Sequence, residues 1–311
     1  MNYSLSNMLG RNQQLGKPFD WSILRDGMTP RRGSVAFTRA STGTFIDPST
    51  SYLATAIINS ARIESDGLLI ESSNTNYCLH SEDFGTSPWA TFRILSNSAV
   101  VSPTNGTTAR RIIPSTASGF HAYTQAIAQN STGTWCITVY AKPAGYNWLN
   151  ITSGNTTNTS AVGSWFDLST GSLGTTVAVN GTLVSREITD APNGYKKIKV
   201  CYTHSVGHTI GNAIQLYIGP TNNTGSFAGD GTSGIDFYGA EIKPTSPDSY
   251  IPTVASAETR SADVCTLTIP AGVSSILITY GDNTTATVSV TPGGTYQLPA
   301  DTKKYKSIIA L

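Results

Sequence analysis

Two histidines four apart, His204 and His208, are the nearest this sequence comes to a metal-binding pair, because on a helix that spacing sets two imidazoles on one face. They flank Ser205-Val-Gly207 directly after a strand-like run, with no acidic third ligand nearby, so they read as a loop between strands. A second candidate is Gly229-Asp-Gly-Thr-Ser-Gly-Ile-Asp236, where the Asp230 and Asp236 carboxylates and backbone carbonyls could hold a structural calcium ion. The terminal Glu of a twelve-residue calcium loop is missing, and the plainer reading is a Gly-rich turn whose Asp side chains bond local N–H groups. Sugar binding is the best-supported local chemistry. Trp89, Trp135, Tyr146, Trp148, Trp165, Tyr217 and Tyr238 could form a stacking platform, with Asn and Thr side chains reading hydroxyl groups. Trp89 beside Pro88 and Tyr146 beside Gly145 fall in loops and are the expected exposed aromatics, whereas Trp135, Trp148 and Trp165 are expected in a core or between subunits. Catalytic residues are not expected. The sequence has no Gly-x-Ser-x-Gly elbow and no Gly-x-x-x-x-Gly-Lys-Ser/Thr loop, and the acid pair Glu82-Asp83 sits side by side in a turn.

The elements that must position these residues follow from composition and period. The 311 residues suffice for a full core and more than one domain. Charged residues are only 13% of the chain, and 29 Gly accompany abundant Ser, Thr and Asn, the signature of many short strands joined by polar turns. With 20 Lys and Arg against 19 Asp and Glu, a net charge of +1 gives no basis for nucleic-acid binding. No run approaches the ~20 apolar residues of a membrane span, and Met1-Asn-Tyr-Ser-Leu-Ser-Asn has no signal-peptide pattern, so a protein made soluble in a cytoplasm is expected. Cys78, Cys136, Cys201 and Cys265 show no C-x-x-C pair. All four are expected to be free thiols, with Cys136 and Cys201 as small buried hydrophobes in strands.

Residues 1–30 mix Gly10, Gly16, Pro18, Gly27 and Pro30 with isolated apolar anchors and read either as an extended surface-binding arm or as a lead-in strand. Short strands are predicted at Val35–Phe37, Thr44–Ile46 and Leu68–Ile70, and Tyr52–Ile58 reads as a strand with a short helix as the alternative. A main β-domain follows, with strands that include Ala109–Ile113, Trp135–Ala141, Trp148–Thr152, Tyr195–Thr203, Ala213–Ile218 and Ile235–Ile242. No segment carries the apolar period of a long amphipathic helix. After Asp263 five further strands, from Thr266–Ile269 to Ser307–Leu311, predict a small β unit that would gain from packing in an oligomer.

One set of segments resembles a known family. Phe37-Thr-Arg-Ala-Ser-Thr-Gly-Thr-Phe-Ile-Asp47, Gly67-Leu-Leu-Ile-Glu71 and Thr75-Asn76 are answered by Gly229-Asp-Gly-Thr-Ser-Gly-Ile-Asp-Phe-Tyr-Gly-Ala-Glu241, Ser249-Tyr-Ile-Pro-Thr253 and Thr259-Arg-Ser-Ala-Asp263. Together they resemble modules of bacteriophage head-spike, head-fibre and tail-fibre proteins, in which two such segments enclose a carbohydrate-binding-like β-sandwich. The resemblance spans roughly residues 31–263. It implies an all-β protein with a jelly-roll-like sandwich over 31–263, an N-terminal arm over 1–30 and a small C-terminal β domain over 264–311. It further implies a homotrimer on the virion surface, assembled in the host bacterial cytoplasm, that decorates a capsid or forms a head fibre. Its partners would be phage capsid or tail proteins. The alternative is a tail-fibre or receptor-binding subunit that binds host glycan. In this setting the arm is expected to attach to the particle through Phe19, Trp21, Ile23, Leu24, Arg25, Arg31 and Arg32.

Overall fold

The computed structural model describes residues 20–22, 34–127, 133–155, 160–204, 212–244 and 249–311. Phe19, Ile23, Leu24, Arg25, Arg31, Arg32 and His208 lie outside these residues. The described chain is nearly all-β, interrupted by one 3-10 turn at Pro192–Gly194, and it divides into two compact units. None of its helices is long and apolar enough to cross a membrane.

The first unit, within Thr75–Ser246 and Ile251–Glu258, is a β-sandwich. Its strands are β1 (Ala90–Phe92), β2 (Ile94–Val100), β3 (Ala109–Pro114), β4 (Ala122–Ala126), β5 (Trp135–Ala144) and β6 (Trp148–Asn155), followed by β7 (Ala161–Asp167), β8 (Ser172–Val179), β9 (Gly181–Asp190), β10 (Lys196–His204), β11 (Asn212–Gly219) and β12 (Gly234–Pro244). They form two antiparallel six-stranded sheets, ordered β8-β7-β6-β11-β4-β1 and β9-β10-β5-β12-β3-β2. Side chains alternate across each strand, and the register puts the apolar set of both sheets on facing sides. From the first sheet come Leu149, Ile151, Phe166, Ile214, Leu216 and Ile218; from the second come Ile137, Val139, Ile198, Val200, Phe237 and Ile242. All are buried in one continuous core.

The second unit encloses the first in chain order, and its composition corrects the predicted domain boundary. Residues 34–74 do not belong with the sandwich. Val35–Thr38 pairs antiparallel with Val264–Thr268, Tyr305 pairs with Leu68, and Phe37, Leu68 and Ile70 share a core with Cys265, Leu267, Ile276, Ile278, Tyr305 and Ile308. The small C-terminal β domain therefore obtains the apolar partners it lacks over 264–311 from strands laid down more than two hundred residues earlier. Asp20–Ser22 joins the same unit, with Trp21 opposite Ile308. The other residues of the predicted arm lie outside the described residues.

The thiol expectation is also corrected. Cys136 and Cys201 are directly opposed on β5 and β10, with Cα atoms 4.0 Å apart, and they form a disulfide. Strand register, which spacing along the chain does not reveal, brings them together. Cys78 and Cys265 are buried free thiols, and burial, then Asp263, pushes the Cys265 thiol up to about 12.

Candidate functional site: two buried polar clusters and an open sheet face

The segments that carry the family resemblance assemble into two buried polar clusters, one in each unit. In the enclosing unit, Arg39 from Phe37–Asp47, Glu71 from Gly67–Glu71, and Arg260 and Asp263 from Thr259–Asp263 meet Arg62 and Ser249. Asp263 lies 3.2 Å from the Arg39 guanidinium and 2.6 Å from that of Arg62, and it also accepts the Glu71 backbone N–H at 2.8 Å. Glu71 lies 2.6 Å from Arg62 and 3.2 Å from Arg260, and it accepts the Ser249 N–H and Oγ–H at 3.0 and 2.6 Å. Other guanidinium donors reach backbone carbonyls. Arg39 bonds those of Ser41, Ser60 and Ile57, Arg62 that of Thr44, and Arg260 that of Ser72. Every charged side chain of this cluster is almost fully buried. Ionised groups persist there because each is paired and hydrogen-bonded, the condition under which burial of charge is tolerated.

The cluster also sets a pH dependence. Burial alone would raise the Glu71 carboxyl. The guanidinium groups of Arg260 and Arg62 and the two Ser249 hydrogen bonds outweigh it and hold the carboxyl at about 2, against an ordinary 4.5. A folded-state value below the unfolded one means stability that is present above pH 4.5 and is lost as the pH falls from there toward 2. Glu71→Gln is therefore expected to be less stable at pH 7 by about 3 kcal/mol. Its stability profile should flatten between pH 5 and 2, so that it meets the parent protein near pH 2. Denaturant titrations across that range measure this, and parallel profiles would refute it.

In the sandwich unit, Asn76 plays the corresponding part. Its amide nitrogen donates to the carbonyls of Ala240 and Ile251 at 3.2 and 2.8 Å, and its oxygen accepts the N–H groups of Cys78 and Ile242 at 3.0 and 3.1 Å. Glu241 accepts the Ile251 N–H at 2.8 Å and both its oxygens face Lys243 Nζ, at 3.0 and 3.1 Å. Burial raises the Glu241 carboxyl, opposed by Lys243 and Lys197. Ser81 Oγ accepts the Thr253 N–H at 2.8 Å, and the Thr253 hydroxyl donates to the Cys78 carbonyl. The recurring residues thus spend their chemistry on closing the ends of the inserted chain.

The other predicted site residues do not come together. Asp230 caps its own turn: hydrogen bonds from Ser233, side chain and then backbone, and from the Thr232 N–H hold its carboxyl at about 2. Asp236 is occupied by Arg111 through two contacts of 2.7 and 3.0 Å. The pair therefore offers no shared calcium position, and no group of three or more His, Cys, Asp or Glu among the described residues is placed to hold a metal. Both His204 ring nitrogens face serine hydroxyls, of Ser160 and Ser153 at 2.8 and 2.9 Å. Glu82 accepts the Tyr238 hydroxyl while Asp83 binds Arg110, so these neighbouring acids serve different partners. Trp89 is not exposed. It packs on Phe84 and Tyr123, and its Nε1–H donates to the His80 carbonyl at 3.0 Å. Tyr146 is half-buried against Phe227, with its hydroxyl accepting the Asp230 N–H. Proximity to Pro88 and Gly145 marked these two as loop residues, but loop aromatics fold back on the core when backbone acceptors and rings are within reach.

Exposed aromatic surface lies instead on the outer face of the β8-β7-β6-β11-β4-β1 sheet. One row across the strands reads Trp165, Asn150, Tyr217, Ala122, Phe92; the next reads Val177, Gly163, Thr152, Gln215, Thr124, Ala90. Phe92 is 55% exposed, and so is Phe120, which comes from a separate two-stranded ladder of Gly119–Phe120 with Ser226–Phe227 and whose ring meets that of Tyr217 edge-on at 5.8 Å. Trp165 is sealed by close backbone approach, since a Cβ on Gly219 would come within 2.6 Å of its ring. The sequence did flag Tyr217. Phe92 and Phe120 were missed because the signal lies in strand alternation over two- and three-residue strands.

Comparison with known proteins found no matching family model and no matching curated protein. Among solved structures, the chain is similar to the CBM22-1–GH10 modules of the Clostridium thermocellum N-terminal endo-1,4-β-D-xylanase 10B, complexed with xylohexaose. The identity is 12%, the TM-score 0.29, and the match covers 56% of this chain and 28% of that one.

Proposed function

We propose that this chain is a surface component of a bacteriophage particle, a capsid decoration or head-fibre protein whose chain carries the β-sandwich as an insertion within the sequence of the enclosing unit. The observation that carries the reading is that the segments resembling phage spike and fibre modules supply the interlocking residues of both buried clusters, Arg39, Glu71, Arg260 and Asp263 in one and Asn76, Glu241 and Thr253 in the other. The resemblance is then one of architecture, a sandwich inserted into a locked base. A second reading, a receptor-binding subunit, is favoured by the exposed Phe92 and Phe120 rings and the neighbouring amides of Asn150 and Gln215.

Peptide mass spectrometry on density-gradient-purified particles from the host that carries the gene tests the first reading. The chain is expected to sediment with particles. Hundreds of copies per particle indicate decoration, and a count near the tail symmetry indicates the second reading. Recovery only in the particle-free fraction would refute both placements.

A further inference from the structure

We infer that the outer face of the β8-β7-β6-β11-β4-β1 sheet binds an uncharged polysaccharide chain that lies across the strands, stacked on Phe92, Phe120 and Tyr217 and read by Asn150 and Gln215. This deepens the second reading above and stands or falls separately from particle location. Three observations carry it. First, three rings are gathered on one face: Phe120 meets Tyr217 directly, and Phe92 lies on the same row two inter-strand steps beyond Tyr217. Those steps amount to about 9.6 Å, with only the small Ala122 between. An apolar patch left in water on a sheet face marks a contact surface.

Second, the polar groups beside the rings have donors to spend. Tyr217 Oη–H donates to Gln215 Oε1 at 3.2 Å, and Thr152 Oγ1–H donates to Asn150 Oδ1 at 2.5 Å. Each amide oxygen is thereby engaged and each amide oriented, while neither amide nitrogen has a partner among the described residues. Asn150 is only 7% exposed as a residue, but its amide nitrogen is open to the surface, where a ligand oxygen can accept from it. Third, both rows are free of Lys, Arg, Asp and Glu from Trp165 to Phe92 and from Val177 to Ala90. The cation beside them is the exposed Arg93, whose guanidinium lies against Gly119 next to Phe120, so an acidic ligand would find counter-charge at that edge and not along the rows. A neutral pyranose chain presents apolar C–H faces to rings and hydroxyl oxygens to amide donors, and so matches both features.

The test is native electrophoresis of the full chain in gels that contain soluble dextran, mannan, laminarin, arabinoxylan or mixed-linkage β-glucan, with hyaluronate and polygalacturonate as acidic comparators. At least one neutral polymer is expected to retard the protein. Tyr217→Ala and Phe120→Ala should each raise the half-retarding concentration at least tenfold, Gln215→Ala by several-fold, and Tyr217→Phe, which keeps the ring, by less than threefold. Phe120 is exposed, so its variant folds independently of any ligand effect. The inference is overturned if none of the neutral polymers retards the protein, if only the acidic ones do, or if retardation is indifferent to these substitutions. It is also overturned if light scattering shows that Phe120→Ala dissociates an oligomer, since the face would then be covered by a second copy. None of these outcomes bears on whether the chain is found on particles.

Discussion

Replacing Asp263 with Asn is expected to destabilise the enclosing unit by about 3–5 kcal/mol, the cost of breaking a buried ion pair from one side. The cluster holds three guanidinium groups, of Arg39, Arg62 and Arg260, against two carboxylates, of Glu71 and Asp263, so it already carries one excess positive charge. Losing Asp263 doubles that excess in a place that water does not reach. Asn fills the same volume, which removes cavity formation as an explanation, and its NH2 group turns a donor toward donors. Hydrogen exchange read by mass spectrometry on peptides covering Ser275–Tyr280 and Tyr305–Ala310 reports on this unit. Protection there should fall by two orders of magnitude or more. Unchanged protection would mean that the cluster contributes nothing net, as some buried ion pairs do when replaced as a whole.

In the sandwich unit the largest single effect is expected at Asn76. Its amide completes four hydrogen bonds to buried backbone groups on three different stretches of chain, and its side chain is fully buried. Asn76→Asp keeps the two acceptor contacts but points a carboxylate oxygen at the Ala240 and Ile251 carbonyls. With two acceptors stranded and a charge buried, the loss should be about 3 kcal/mol or more. Four of the five tryptophans, Trp89, Trp135, Trp148 and Trp165, belong to this unit, so intrinsic fluorescence during denaturation follows it. A midpoint shift no larger than that of a surface control such as Asp282→Asn would sink the argument.

Local signals made much of the fold legible. Trp135–Ala141 is extended in the structure to Ala144, Ala213–Ile218 sits inside Asn212–Gly219, and Ser275–Tyr280 is found as expected. The Tyr195–Thr203 strand places Ile198 and Val200 on one face with Lys196 and Tyr202, a mixed face that alternation alone does not assign to core or solvent. The face is the core one: Tyr202 is buried in it, and Lys196 lies at the strand start, paired with Asp190. What stayed hidden depends on contacts distant in sequence. The pairing of Val35–Thr38 with Val264–Thr268 and the opposition of Cys136 and Cys201 are each decided by a partner that no window of neighbouring residues contains. The motif residues were visible as a pattern, but their role was not, since Arg39, Glu71 and Asp263 acquire meaning only when brought into contact.

The split make-up of the enclosing unit has a consequence for how a cell produces this protein. A ribosome releases Val35–Thr38 long before its partner strand Val264–Thr268 exists. At 5–20 residues per second the delay is roughly ten to fifty seconds. During that time the inserted sandwich can be synthesised and can fold completely, while Phe37, Leu68 and Ile70 have no core to enter. The nascent chain thus trails a finished domain behind an unfinished one. The step most open to aggregation during biosynthesis is the capture of those early strands once the last fifty residues emerge, and chaperone demand should track the length of that interval more than the stability of the finished protein.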